Sequence, residues 1–272
     1  MKRCWKCWVF LMQTFNLHTH TVRCGHASGE DEAYVLAAIA AKIKVLGFSD
    51  HVPWSTAKLF TDRMPMDLKD NYLSSIENLK QKYKNEITIL SGYECEYFPD
   101  LLEELKLRKS EVDYLILGLH NPEMDVRDFA RHNDDEDLLD YARLMEEACA
   151  SGLFTYIAHP EYFMKGRNSW NQRCIDVTHR ICKAAEKAKL PMEVNLNGMR
   201  YGMQNYGELG DRYAYPFYEF WQIVAQYDIK TVFGFDAHKP VTLTEDFRYN
   251  KVMEILHDLS FSWIEDPFSI IK

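Results

Sequence analysis

The sequence has no apolar run of the ~20 residues that a membrane-spanning helix needs. It has no surplus of positive charge: 32 Lys and Arg against 41 Asp and Glu leave a net charge of -9. That balance argues against a nucleic-acid partner, whose phosphates call for a basic face. It has no internal repeat, low-complexity tract or Pro/Gly/Ser-rich linker, so one domain is expected. Paired cysteines are also missing. Seven cysteines are scattered, and Cys4-X-X-Cys7 finds no second pair at zinc-knuckle spacing. Such usage fits reduced thiols in the cytoplasm. The basic, then apolar, start is followed by no small-residue cleavage site, so a secretory leader is not expected. Residues 1–11 read as an extension, Met12 as an alternative start, and 12–272 as the folded domain.

What is there is a globular composition, 47% hydrophobic and 14% aromatic, enough to bury a substantial core. Short apolar runs alternate with amphipathic segments. Strands are expected at 14–17, 47–51, 87–90, 114–120, 154–160, 192–197 and 231–238. Helices are expected between them. Ser28-Gly29-Glu30-Asp31 reads as a capping box opening a helix to about 44, with Gly47 near its end. Further helices are expected at 68–84, 100–108, 134–150, 175–189, after Pro216 and at 245–259. The acidic run 134–137 reads as a helix cap rather than a metal site. Strand–helix alternation implies a parallel sheet, and seven units approach a closed (β/α) barrel. Functional residues of such barrels gather at the C-terminal strand ends. Six of the seven predicted strands end in His, Asp or Glu.

That strand-end set comprises His18, His20, His26, His51, Glu94, His120, His159, Asp236 and His238. Imidazole and carboxylate without paired thiolates suit catalytic Zn, Mn or Fe. Nine donors are too many for one ion and suit two or three. Metal cations would also let an acidic chain receive an anionic substrate. Asp50, beside His51, is expected to orient a ligand. His132, His179 and His257 sit in polar or helical contexts and read as ordinary surface or hydrogen-bonded residues.

His18-Thr19-His20-Thr21, His26, Ser49-Asp50-His51, Glu94, His120, His159-Pro160 and Asp236-Ala237-His238 resemble the successive motifs of the polymerase and histidinol phosphatase (PHP) family. The resemblance implies an α/β fold, a distorted (β/α)7 barrel with a trinuclear site. It implies one metal on His18, His20, Glu94 and Asp236, and a second on Glu94, His120 and His159. The third would take His26, His51 and His238, with Glu94 as the bridge. Cys24-Gly25-His26-Ala27 and Asn195-Leu196-Asn197-Gly198-Met199-Arg200 look most like the histidinol-phosphatase branch, which hydrolyses L-histidinol phosphate in histidine biosynthesis. A small phosphate ester is then the expected partner. Glu94 and Asp236 are the expected catalytic carboxylates. Arg200, with Arg167 as a second candidate, is expected to hold the phosphate, and Glu96 is a candidate substrate contact. Tyr97, Tyr162, Tyr201 and Tyr206 are candidate pocket residues.

Overall fold

A computed structural model describes residues 13–57, 62–124 and 127–271. The extension and Cys4-X-X-Cys7 lie outside these residues. Strands and helices alternate: β1 (Phe15–Asn16), α1 (Asp31–Ala40), β2 (Val45–His51), α2 (Lys69–Tyr83), β3 (Thr88–Cys95), α3 (Leu102–Glu111) and β4 (Tyr114–Leu117). Then come α4 (Asp135–Ser151), β5 (Tyr156–Ile157), α5 (Gln172–Ala188), β6 (Met192–Asn195), the short hairpin β7 (Gln204–Asn205) and β8 (Asp211–Arg212), and α6 (Tyr218–Val224). β9 (Lys230–Gly234), α7 (Phe247–Ile255) and β10 (Ser262–Trp263) complete the described chain. The main sheet runs β1-β2-β3-β4-β5-β6-β9-β10, all parallel.

The sheet curls into a distorted barrel. At its seam, the segments that follow β1 and β9 meet through an isolated parallel bridge, Thr19 to Ala237. Side-chain amides complete the closure. Gln13 both donates to the Phe233 carbonyl (2.7 Å) and accepts from its N–H (2.8 Å). Asn16 accepts from the Phe235 N–H at 3.0 Å. Backbone groups that a regular ladder would pair are thus satisfied by side chains.

Alternation along the strands sorts side chains into two cores. Phe15, Leu17, Val45, Tyr114, Ile116, Tyr156, Ala158 and Val232 fill the barrel interior. Leu46, Phe48, Tyr93, Leu115, Leu117, Ile157 and Val194 face the surrounding helices. Inward positions near the strand ends carry polar side chains, and there the apolar filling gives way to the site.

Four local expectations need correction. Ser28 does not cap α1: Gly29, at φ +104°, turns the chain there, and Glu30 takes the N-cap position without a side-chain hydrogen bond. Gly47 does not end a helix but lies inside β2, where a Cβ would fall 2.2 Å from the Tyr114 hydroxyl. The first strand stops at Asn16. Leu17 still points into the barrel core, as His18 does into the site, so strict alternation breaks between them. The hairpin β7–β8 and the two-residue β10 were not expected, being too short to carry a period. The acidic run does cap α4: the Asp134 carboxylate accepts from the Glu136 and Asp137 N–H groups.

Candidate metal centre

The strand ends bring all nine expected donors into one cluster, with Glu94 at its hub. Glu94 Oε1 lies 2.8 Å from His159 Nε2 and 3.5 Å from His120 Nε2. Oε2 lies 3.2 Å from His51 Nδ1 and 3.4 Å from the Nε2 atoms of both His18 and His20. Asp236 Oδ1 is 3.1 Å from His20 Nε2 and 3.6 Å from His18 Nε2. His26 Nε2 faces His238 Nε2 at 2.8 Å. Donor atoms within 4.8 Å of one another form the sets His18–His20–Glu94, His18–His159–Asp236, His51–Glu94–His120 and His26–His51–His238. A fifth set, His20–Cys24–His238, adds a thiol that sequence reasoning did not name as a donor.

Buried nitrogens of His18, His20 and His159, and Oδ1 of Asp236, have no hydrogen-bond partner. Buried polar atoms rarely stay unpaired, and here they are imidazole nitrogens and a carboxylate oxygen gathered in one place. The donor set therefore fits divalent transition metals. His159 and Asp236 hold positive φ angles of 30° and 47°. Such backbone strain persists where surrounding structure enforces it, often at functional sites.

A second ring holds the imidazoles. Glu193, fully buried, accepts from His18 Nδ1 at 2.8 Å, and Asn195 bridges Glu193 (2.6 Å) and Asp236 (3.2 Å). The Asp236 carbonyl holds His238 Nδ1 at 2.9 Å, and the Cys24 carbonyl holds His26 Nδ1 at 3.1 Å. Asp50 lies 3.5 Å from His20 Nδ1 and accepts from Thr21. Glu96 sits 3.3 Å from His120 Nδ1. Such partners fix the ring orientation and leave the other nitrogen for a ligand. Sequence reasoning missed Glu193 and Asn195, although their two-residue spacing on a predicted strand put both on one face.

Charge is shared unevenly across the cluster. Burial opposes ionisation of Glu94, but His51, His18 and His120 hold its carboxyl well below the usual range. Asp236 is likewise held down against burial by His18 and His238. His20 is pushed up to about 9: burial works against this, and contacts with Asp236 and Asp50 outweigh it. His26 is lowered to about 4 by burial and by the neighbouring His238 and His20.

Two glycines make room for the carboxylates. A Cβ at Gly118 would fall 2.2 Å from Glu94 Oε1, and one at Gly234 would fall 2.0 Å from Glu193 Oε2. Gly118→Ala is expected to displace Glu94 and lower kcat/KM by about 10–100-fold, the usual cost of disturbing a metal-site partner. Steady-state kinetics beside a thermal melt will check this. Unchanged kcat/KM in a folded variant would mean Glu94 can relocate freely.

Above the cluster opens a cavity of about 320 Å³. Arg200, Tyr162, Tyr201, Tyr215, Lys165 and Arg63 are among its walls. Arg167 is not. Its guanidinium donates to the Asn133 carbonyl and pairs with Asp135 at 3.1 Å, lining a neighbouring cleft. This takes it away from the phosphate role expected of it, because the turn after Pro160 carries it past the cavity. Glu96 does border the cavity, but it is 1% exposed and engaged by Arg63, His120 and Trp54. Tyr97 packs in the outer core and Tyr206 stacks under Arg212. His132 and His257 are exposed, and His179 meets the Tyr227 hydroxyl at 2.7 Å, all outside the cluster.

Residues 16–197 match the PHP domain. The chain belongs to the PHP family. A PHP relative from Deinococcus radiodurans, described as a probable histidinol-phosphatase, is 27% identical over 255 residues, covering 89% of this chain and 92% of that protein. The histidinol-phosphatase of Bacillus subtilis is 29% identical over 106 residues, 35% of this chain and 38% of that one. The histidinol phosphate phosphatase of Lactococcus lactis, solved with zinc, L-histidinol and phosphate, superposes with a TM-score of 0.68. That superposition covers 92% of this chain and 95% of the other at 13% identity, a likeness of fold.

Proposed function

We propose that this PHP chain is a metal-dependent phosphomonoesterase that hydrolyses L-histidinol phosphate to L-histidinol and phosphate, the histidinol-phosphatase step of histidine biosynthesis. The observation that carries the reading is the convergence of unpartnered buried donors of His18, His20 and Asp236 beneath a cavity walled by Arg200. The related proteins from Deinococcus radiodurans and Bacillus subtilis support the choice of ester. Two to three divalent ions, of zinc, manganese or iron, are assigned to the nine donors. When bound, such ions supply Lewis acidity toward a phosphoryl oxygen and acidify a coordinated water.

The chain's own residues do the rest. Glu94 and Asp236 face the cavity as carboxylates and set its negative floor. Glu193 and Glu96 hold the imidazoles of His18 and His120 in place, so little reorganisation is needed when substrate arrives. Arg200 stands on the cavity wall, where its planar fork suits two phosphate oxygens. Tyr162 and Tyr215 line the cavity beside it. Among the described residues, the five buried free thiols Cys24, Cys95, Cys149, Cys174 and Cys182 fit a reducing, cytoplasmic setting. Among the described residues no helix is long and apolar enough to cross a membrane.

A panel of phosphate esters tests the assignment. Histidinol phosphate should be turned over with a kcat/KM at least about tenfold above p-nitrophenyl phosphate and nucleoside monophosphates. The aryl ester has the better leaving group, so such a preference has to come from recognition. Arg200→Lys should cost on the order of 1–3 kcal/mol of transition-state binding through a lost charged hydrogen bond. A nucleotide or phosphotyrosine winning the panel would overturn the choice of ester and leave the phosphoesterase. DNA cleavage with no ester hydrolysis would overturn both.

A further inference from the structure

Arg63 lies on the connection after β2, outside every motif, and is 5% exposed. Its guanidinium grips Glu96 with both arms, Nη2 to Oε1 at 2.9 Å and Nη1 to Oε2 at 3.1 Å. Nη1 also reaches the Val52 carbonyl at 3.5 Å. Trp54 Nε1 donates to the same carboxylate at 3.3 Å. The Oε1 that Arg63 holds is the one that meets His120 Nδ1 at 3.3 Å. On the far side of that ring, Nε2 points to Glu94 at 3.5 Å. Four residues therefore stand in line, Arg63, Glu96, His120 and Glu94, leading from a surface connection to the hub of the site.

The chemistry gives the line a direction. Glu96, just past the end of β3, is two residues from Glu94, and two carboxylates would repel in a buried space. The two-armed pair with Arg63 offsets that repulsion and leaves Oε1 to meet His120 Nδ1. An ionised Glu96 accepts from Nδ1–H and leaves His120 Nε2 as the ligand nitrogen. Arginine can do this because its planar fork matches a carboxylate in two places; lysine supplies the charge without the fork.

We infer that Arg63 is a positioning residue of the site, acting through Glu96 to fix the ligating orientation of His120. This rests on the metal-site reading above and is independent of which ester is hydrolysed. It also assigns Glu96 to His120 rather than to substrate. The connection after β2 thereby becomes part of the metal centre through Arg63.

The test is the release of zinc from fully loaded protein to a chromophoric chelator, followed in time, with total zinc by elemental analysis. Arg63→Met and Glu96→Gln should each release one class of ion about 10–100-fold faster than wild type, as expected for loss of an outer partner. Arg63→Lys should fall between. Because both residues act on one ring, the double variant should release no faster than the faster single variant. Should Arg63→Met lose its fold in a thermal melt, Arg63→Lys and Glu96→Gln carry the comparison. Wild-type release from Arg63→Lys and Arg63→Met with a raised KM would assign Arg63 to the substrate and overturn the inference. Additive rates in the double variant would overturn it too. Wild-type protein that takes up no zinc would overturn the metal-site reading itself, and the inference with it.

Discussion

Glu94→Gln is expected to lower kcat/KM by on the order of 10³-fold, about 4 kcal/mol of transition-state stabilisation. The amide keeps the shape of the side chain, so the space beside Gly118 stays filled. It replaces one carboxylate oxygen by an NH₂ group, which donates and cannot ligate. Both oxygens are in use: one faces His159 and His120, the other His51, His18 and His20. No rotamer of the amide serves both sides. At least one ion should be lost together with activity, read by elemental analysis of the same sample. Glu96→Gln, one step removed from the donors, should cost about 10–100-fold. Near-normal turnover of Glu94→Gln with a full metal complement would remove Glu94 from the hub.

Much of this site was legible because donors at strand ends are local in sequence. His18-Thr19-His20, Asp50-His51 and Asp236-Ala237-His238 each carry their own signal, and the barrel only has to bring the ends together. Parallel strands with helical crossovers do that by topology. What was not legible depends on which side chains meet across the barrel. Glu193 gave no motif, yet it is as buried as any ligand, and it reaches His18 across the barrel because Gly234 leaves space. Arg63 could not be found at all, since its partner Glu96 is 33 residues away. Arg167 misled for the opposite reason. It follows His159 closely in sequence, but the turn after Pro160 points it into the neighbouring cleft. The seam of the barrel likewise hid in two amides, Gln13 and Asn16, whose side chains stand in for backbone.

Stripping the ions should abolish turnover and also lower thermal stability, with a pH dependence that identifies the histidines. Loading at one hundred times Kd adds about 2.7 kcal/mol per site, roughly 5–10 °C in Tm for a chain of this size. In the stripped protein the histidines fall into two groups. His26, at about 4, and His51 and His238, also lowered, stay neutral in the fold. Below the unfolded value of about 6.5 the unfolded chain takes protons that these residues refuse, so stability falls as pH drops toward 4. His20, at about 9, and His18 and His120, also raised, behave oppositely. Their contribution is full below about 6.5 and is lost as pH rises through 9. The two windows meet, so the stripped protein should be most stable near pH 6.5 and weaker on either side. Bound ions need every ligand imidazole deprotonated, so the Tm gain on loading should widen from pH 6.5 to 9 and vanish toward pH 4. Melts of stripped and zinc-loaded protein across that range decide it. A gain independent of pH would mean that the ions bind somewhere other than this histidine cluster.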